Sequence, residues 1–490
     1  MREASLRASV VALVCCAVCL LGTIVTAGEK DKMPITTSSE KALDHYLQGR
    51  DLTDKLRGQE SRTYYRKAIE ADPEFAMAHL ALCQAAATNK MFFEEFNKAR
   101  ALVNRVSDAE RFQILGFEAG GIAGDPMTQR DYYTRLVKMY PNDERAHNLL
   151  AGHYFGLLDY PQAVVEYEKA TKVNPDFSQP YNQMGYAYRF LERFDDAERA
   201  FKKYIELIPD DPNPYDSYAE FLMKMGRFDE SIENYRKALD ISPTFVFSHL
   251  GVATDLCFKN EHAAARDQLQ VMFKNAKDDG QRRAALGAMA TTYVYEGKTD
   301  EALTEIQKQF EIARGINDTS AMAGDYNFMG NILLEAGRIK EAKEHFDKNL
   351  ALVEASSLSQ ATKDQAWLFH LFNTTRVEIA LGNTDQALTM AKDYKERVEL
   401  VNNANQIRLA HQLLGMIGLK TGDYETARRE MEQTNLLNPQ NIYRLAQAHE
   451  GLKQMGKAKQ LYQKAADYNV VNNINLAFVR SKASDKLAMM

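Results

Sequence analysis

The sequence predicts an all-α solenoid, a row of about twelve stacked helix pairs finished by a C-terminal capping helix. Three observations predict it. The stretches "YPQAVVEYEKATKVNPDF" (160–177), "FDDAERAFKKYIELIPDD" (194–211) and "FDESIENYRKALDISPTF" (228–245) follow one another at a spacing of 34 residues. Within each copy the apolar residues recur at helical spacing, as in Tyr181, Met184, Gly185 and Tyr188, then Ala197, Phe201 and Tyr204. Small and large apolar residues hold fixed phases, which lets two helices of a pair approach and fill the space beside them.

The phase runs through seven 34-residue frames from 42 to 279, with position 1 at Glu144 in the fourth. Position 24 reads Tyr65, Ala99, Tyr133, Tyr167, Phe201, Tyr235 and Leu269. Position 8 reads Gly49, Cys83, Phe117, Ala151, Gly185, Ala219 and Ala253. Proline recurs at position 32 (Pro73, Pro141, Pro175, Pro209, Pro243), where it ends the second helix by lacking an N–H and biasing its predecessor away from helix. Frames 76–109 and 110–143 are weak copies, with Glu95 and Gln129 where a small residue is usual.

The polar stretch "KNAKDDGQRR" (274–283) breaks the phase and is a candidate hinge. Beyond it, turn glycines recur at Gly297, Gly337, Gly382, Gly422 and Gly456. Alanines follow five residues later at Ala302, Ala342, Ala387 and Ala427. The wider spacing predicts five longer units over 280–470. The last unit has Ala458 only two residues after Gly456, so about three turn residues look missing there. Residues 471–490 read as the capping helix, with Asn473 as N-cap and Arg480, Lys482, Asp485 and Lys486 on a polar outer face.

The N-terminus is a separate object. Arg2 and Arg7 precede an uncharged segment, 8–27, that ends in Val25-Thr26-Ala27. This is the form of a secretory signal peptide, with a retained anchor as the alternative. It predicts an exported protein, periplasmic or extracellular, with 28–41 as a linker. Cys15, Cys16 and Cys19 fall inside the segment. Cys83 and Cys257 are expected as buried, unpaired thiols.

The stretches "PYNQMGYAYRFLERFDDAERAFKKYIELIPDDP" (180–212) and "PYDSYAEFLMKMGRFDESIENYRKALDISP" (214–243) resemble the tetratricopeptide repeat (TPR) family, and the exported bacterial members of that family look similar along the chain, leader included. The resemblance implies a right-handed superhelix with a concave groove lined by the first helix of each pair. It also implies a protein or peptide as partner.

On those inward positions the sequence offers an amide and acidic row, Asn148, Asn182 and Asp216, beside an apolar row, Phe155, Phe190, Met223 and Phe258. Tyr186, Arg189 and Lys224 are added as anchors. The lysines with which some members of the family hold a chaperone's terminal carboxylate are missing, so that activity is not carried over.

Composition narrows the alternatives. Hydrophobic residues make up 45% of the chain and charged ones 26%, and the net charge of -6 is spread in both signs. Nothing there points to nucleic acid or to a membrane beyond the N-terminal segment. "GKT" (297–299) lacks the earlier glycine of a phosphate loop, and "HEGLK" (449–453) lacks the second histidine of a zinc helix. The expectation is therefore a non-enzymatic interaction scaffold without metal or cofactor. The alternatives are a ligand-responsive module hinged near 274–283 and an enzyme whose site the sequence does not reveal.

Overall fold

The computed structural model describes residues 31–490 except 56, 87, 88, 124, 359 and 402. The expected signal segment 8–27 lies outside the described residues. Every regular element described is helical, and the helices come in successive antiparallel pairs, the packing of an α-solenoid. The chain divides into two compact units, Met1–Ser217 and Tyr218–Met490.

In the first unit the pairs are α1 (Glu40–Asp54) with α2 (Gly58–Ala71), α3 (Ala76–Gln84) with α4 (Asn89–Ala101), and α5 (Asp108–Phe117) with α6 (Pro126–Met139). Then come α7 (Glu144–Gly156) with α8 (Tyr160–Val173) and α9 (Ser178–Phe190) with α10 (Phe194–Leu207). The weak third copy carries a π-helical turn, Glu118–Ile122, between its helices. The two-position rule seen in the sequence has a direct steric cause. Gly185 on α9 lies flat against the Phe201 ring on α10, and a Cβ there would sit 2.6 Å from two ring carbons. Gly49 and Tyr65 repeat the arrangement. Each such ring is buried, which contributes roughly 1.5–3 kcal/mol. Helices α8 and α10 stop two residues before Pro175 and Pro209.

The division between units falls within α11 (Pro212–Lys224), which is followed by α12 (Phe228–Ile241). The second unit continues with α13 (Val246–Phe258) and α14 (His262–Asn275), α15 (Asp279–Tyr295) and α16 (Thr299–Gly315), α17 (Thr319–Glu335) and α18 (Ile339–Glu354). Its remaining pairs are α19 (Gln360–Leu381) with α20 (Thr384–Val401), α21 (Ala404–Thr421) with α22 (Tyr424–Met431), and α23 (Pro439–Gly451) with α24 (Met455–Ala466). Helices α15 to α21 run to 16–22 residues against 13 or 14 for α7 to α14, which accounts for the wider glycine spacing.

Three sequence expectations change here. The joint at 274–283, expected as a candidate hinge, lies inside the second compact unit rather than between units. Asp278 caps α15, accepting from the Gln281 N–H at 2.8 Å, and Met272 shares one core cluster with Ala285 and Ala288 across the joint. The last turn is not short. Gly297, Gly337, Gly382 and Gly422 have φ of 70–88°, but in the last pair Lys453 takes that left-handed position at φ 61°, and Gly456 lies in the first turn of α24. Lys453 stands five residues before Ala458, so the phase is intact. Finally, 471–490 is two short helices, α25 (Ile474–Ala477) and α26 (Arg480–Ala488), not one outward cap. Asn473 does cap α25, but Leu476, Ala477, Phe478 and Val479 are buried inside the unit.

Buried histidines tie the repeats together. His79 and His147 each bond through Nε2 to a preceding proline carbonyl, Pro73 or Pro141, at 3.0 Å. Through Nδ1 they reach Glu95 (2.6 Å) and Glu166 (2.7 Å) on the second helix of the same pair. His249 repeats the clip with Pro243 (2.9 Å) and Gln268 (2.6 Å). Cys83 and Cys257 are buried free thiols, and burial pushes the Cys83 thiol up to about 11.

Candidate functional site

The segment expected as a linker before α1 is an extended strap. Its side chains alternate, with Met33, Ile35 and Thr37 buried and their neighbours more exposed, the period of extended backbone. Its backbone N–H groups have no strand to pair with and bond to carboxylates instead. Met33 donates to Asp143 Oδ2 at 2.8 Å, Thr36 to Glu110 Oε1 at 2.7 Å, and Ser38 to Asp72 Oδ2 at 2.8 Å. The Thr36 and Thr37 hydroxyls add bonds to Glu110 (2.6 Å) and Asp72 (2.5 Å). The strap thus crosses the starts of three successive repeats.

Those carboxylates do double duty. The other oxygen of Asp143 caps α7, accepting from Arg145 N (2.8 Å) and Ala146 N (3.0 Å). Glu110 closes a capping box with Ser107 at the start of α5. Burial alone pushes the Asp72 carboxyl up, but the bonds from Thr37 and Ser38 outweigh it and hold Asp72 below the usual range.

Behind the strap lies a cavity of about 680 Å3, walled by α1, α3, α7 and the strap itself. Arg145 and Asp54 pair across it through two bonds, 3.1 and 2.7 Å. Arg50 packs over the Tyr46 ring at 5.9 Å, and no hydrogen bond is found for its guanidinium among the described residues. Asn148 also lines the cavity. Its amide nitrogen donates to Gln179 Oε1 at 3.1 Å, while its buried oxygen has no partner.

The other sequence-selected residues separate into two groups. In the first unit, Phe155, Tyr160 and Phe190 form an aromatic platform. Tyr160 and Phe190 stack at 4.6 Å, Phe155 meets Tyr160 edge-on at 5.3 Å, and Arg189 lies over both Phe190 (5.2 Å) and Tyr186 (4.9 Å). Phe190 is 49% exposed, and Leu157 and Leu158 beside Tyr160 in sequence are exposed too. Asp216 is half-buried. Asn182 is 2% exposed and its oxygen has no partner, so this member of the expected row is closed to a peptide.

In the second unit, Met223, Lys224 and Phe258 do not line an open groove. Met223 is fully buried. Lys224 lies 4.7 Å from the Tyr468 ring centre, and Arg480 covers Phe258 at 4.0 Å. Leu476 enters the core that Phe258 shares with Ala285 and Met289, and Asn472 N–H donates to Thr254 Oγ1 at 3.0 Å. The C-terminal segment therefore sits where the sequence places a ligand. The returning segment was missed because nothing local marks a contact 218 residues away.

Among the described residues no group of His, Cys, Asp and Glu is arranged to hold a metal, and no helix is long and apolar enough to cross a membrane. His449, first residue of the zinc-like stretch, bonds Gln454 at 2.6 Å.

The tetratricopeptide repeat family matches the chain at 178–211, 213–245 and 439–469, three of the helix pairs described above. These three helix pairs are tetratricopeptide repeats. No curated protein matches it. Among solved structures it is similar to MamA from Desulfovibrio magneticus RS-1, at 18% identity and a TM-score of 0.31 over 34% of this chain and 94% of that one. It is also similar to YrrB, described as a TPR protein with an unusual peptide-binding site, at 17% identity and a TM-score of 0.29 over 37% and 91%. Its tetratricopeptide repeats support a protein-interaction scaffold.

Proposed function

We propose that this TPR scaffold is a non-enzymatic adaptor that holds an extended peptide segment against the repeats of its first unit. The strap carries the reading. It is an extended peptide held by backbone N–H bonds to carboxylates of three repeats, with alternate side chains buried. That is the general physics of extended-peptide recognition, in which main-chain bonds supply affinity and alternate pockets supply selectivity. The aromatic platform around Phe190 offers a partly exposed anchor of the kind enriched at interfaces. The leader-like segment 8–27 supports placing this activity outside the cytoplasm.

The test is selection from a displayed peptide library on the full chain and on a chain lacking 31–38. The shortened chain should enrich peptides with alternating apolar residues, and a synthetic 31–39 peptide should displace them. Absence of any consensus, or failure of the strap peptide to compete, overturns the reading.

A further inference from the structure

One cluster in the second unit gathers more positive charge than it neutralises. Arg376 on α19 and Arg444 on α23 are 7% and 9% exposed. Both turn toward one carboxylate, Glu335 at the end of α17, at 3.8 and 3.6 Å, and Lys482 on α26 reaches its other oxygen at 3.8 Å. These separations are ion pairs, longer than hydrogen bonds. Arg376 spends Nη1 on Asn331 (2.6 Å) and Asn373 (3.1 Å), and Arg444 spends Nη1 on Asn441 (3.2 Å), all neutral partners. The Nε of Arg376 is buried without any partner. Three cations share one anion.

Burial lowers the Arg376 guanidinium to about 10, with Glu335 opposing and Arg444 adding to the fall, so it is charged at neutral pH. A buried guanidinium that is incompletely paired is destabilised and gains by taking up a further anion.

A cleft of about 340 Å3 opens on this cluster. Arg376 and Arg444 line it, and Lys420 on α21 adds a further cation. Leu334, Ile379 and Met416 make an apolar wall. A planar guanidinium offers a forked set of donors that matches a carboxylate. We infer that this cleft binds a small organic carboxylate carried on an apolar body. Arg444 and Arg376 hold the carboxylate, and the wall of Leu334, Ile379 and Met416 receives the body. The site lies within the second unit and does not depend on the peptide reading of the first.

Titration calorimetry of the full chain with octanoate, octanol and inorganic phosphate tests it. Octanoate should bind saturably, with octanol and phosphate each at least about tenfold weaker, because one lacks the charge and the other the apolar body. Arg444→Gln should weaken octanoate by about tenfold or more. Glu335→Gln should strengthen it, since the internal carboxylate competes for the same cations. Apolar surface bared by misfolding would take up octanol as readily as octanoate and without one-site stoichiometry, so a one-site gain for octanoate alone in this variant decides the matter if Arg444→Gln fails to fold. Equal binding of octanol or phosphate, no saturable binding of octanoate, or unchanged affinity in Glu335→Gln overturns the inference.

Discussion

Asp255 gives the sharpest test of how the second unit is built. It sits in the last turn of α13, fully buried, and neither carboxyl oxygen has a hydrogen-bond partner. The nearby Ser231 hydroxyl donates instead to the Ala219 carbonyl at 2.8 Å. Burial pushes the carboxyl up to about 8. Ser231 opposes the rise, Asp229 adds to it and Lys259 opposes it. The unfolded chain ionises this group near the ordinary value of 3.8. The folded unit therefore keeps its full stability below that value and loses it as pH rises toward 8, by about 1.4 kcal/mol per pH unit. Asp255→Asn removes the titration and nearly preserves the shape. Its new amide carries any packing cost equally at every pH, so the slope is the readout. Urea unfolding followed through Trp367, the only tryptophan and part of the second unit, reports the right part of the molecule. Between pH 5 and 7 the variant should gain about 3 kcal/mol relative to the parent chain. Parallel stability curves across that range refute a neutral, unpartnered carboxyl at 255.

Two further outcomes test the first unit. Ala197→Leu places a larger side chain in the fully buried contact between α9 and α10 and should cost roughly 1–3 kcal/mol by thermal unfolding, whereas exposed Asp195→Ala should stay within about 0.5 kcal/mol. Glu110→Ala removes both the capping box of α5 and the anchor of Thr36, and should cost about 1–3 kcal/mol while speeding hydrogen exchange at Thr36 N–H; unchanged exchange there contradicts the strap geometry.

The helix pairs were legible because their rules are local. Gly185 and Phe201 are 16 residues apart, Pro209 ends its own helix, and the turn glycines stand at fixed offsets from their alanines. A local rule also misled where a residue could be replaced: Lys453 adopts the glycine conformation, and Gly456 drew attention from it. The strap showed a period-two signal in Met33, Ile35 and Thr37, but its partners at Asp72, Glu110 and Asp143 lie 34 to 110 residues away, beyond any repeat-level reading. Asn182 occupies a groove position in the family pattern, yet its side chain is buried. The charge cluster at Glu335 was invisible for the same reason as the returning C-terminus. Arg376, Arg444 and Lys482 come from separate helices that only the closed second unit assembles.

The route by which the C-terminal residues return has a cost in synthesis. During translation, the faces of α13 and α15 that end up against Leu476 emerge from the ribosome roughly 190 to 220 residues before it does. At about 5–20 residues per second, those apolar faces wait bare for roughly ten seconds or more. A chain that stops before Leu476 leaves those faces bare, so synthesis must run past α25 before the apolar surface of α13 and α15 is sealed from anything that reads exposed apolar area.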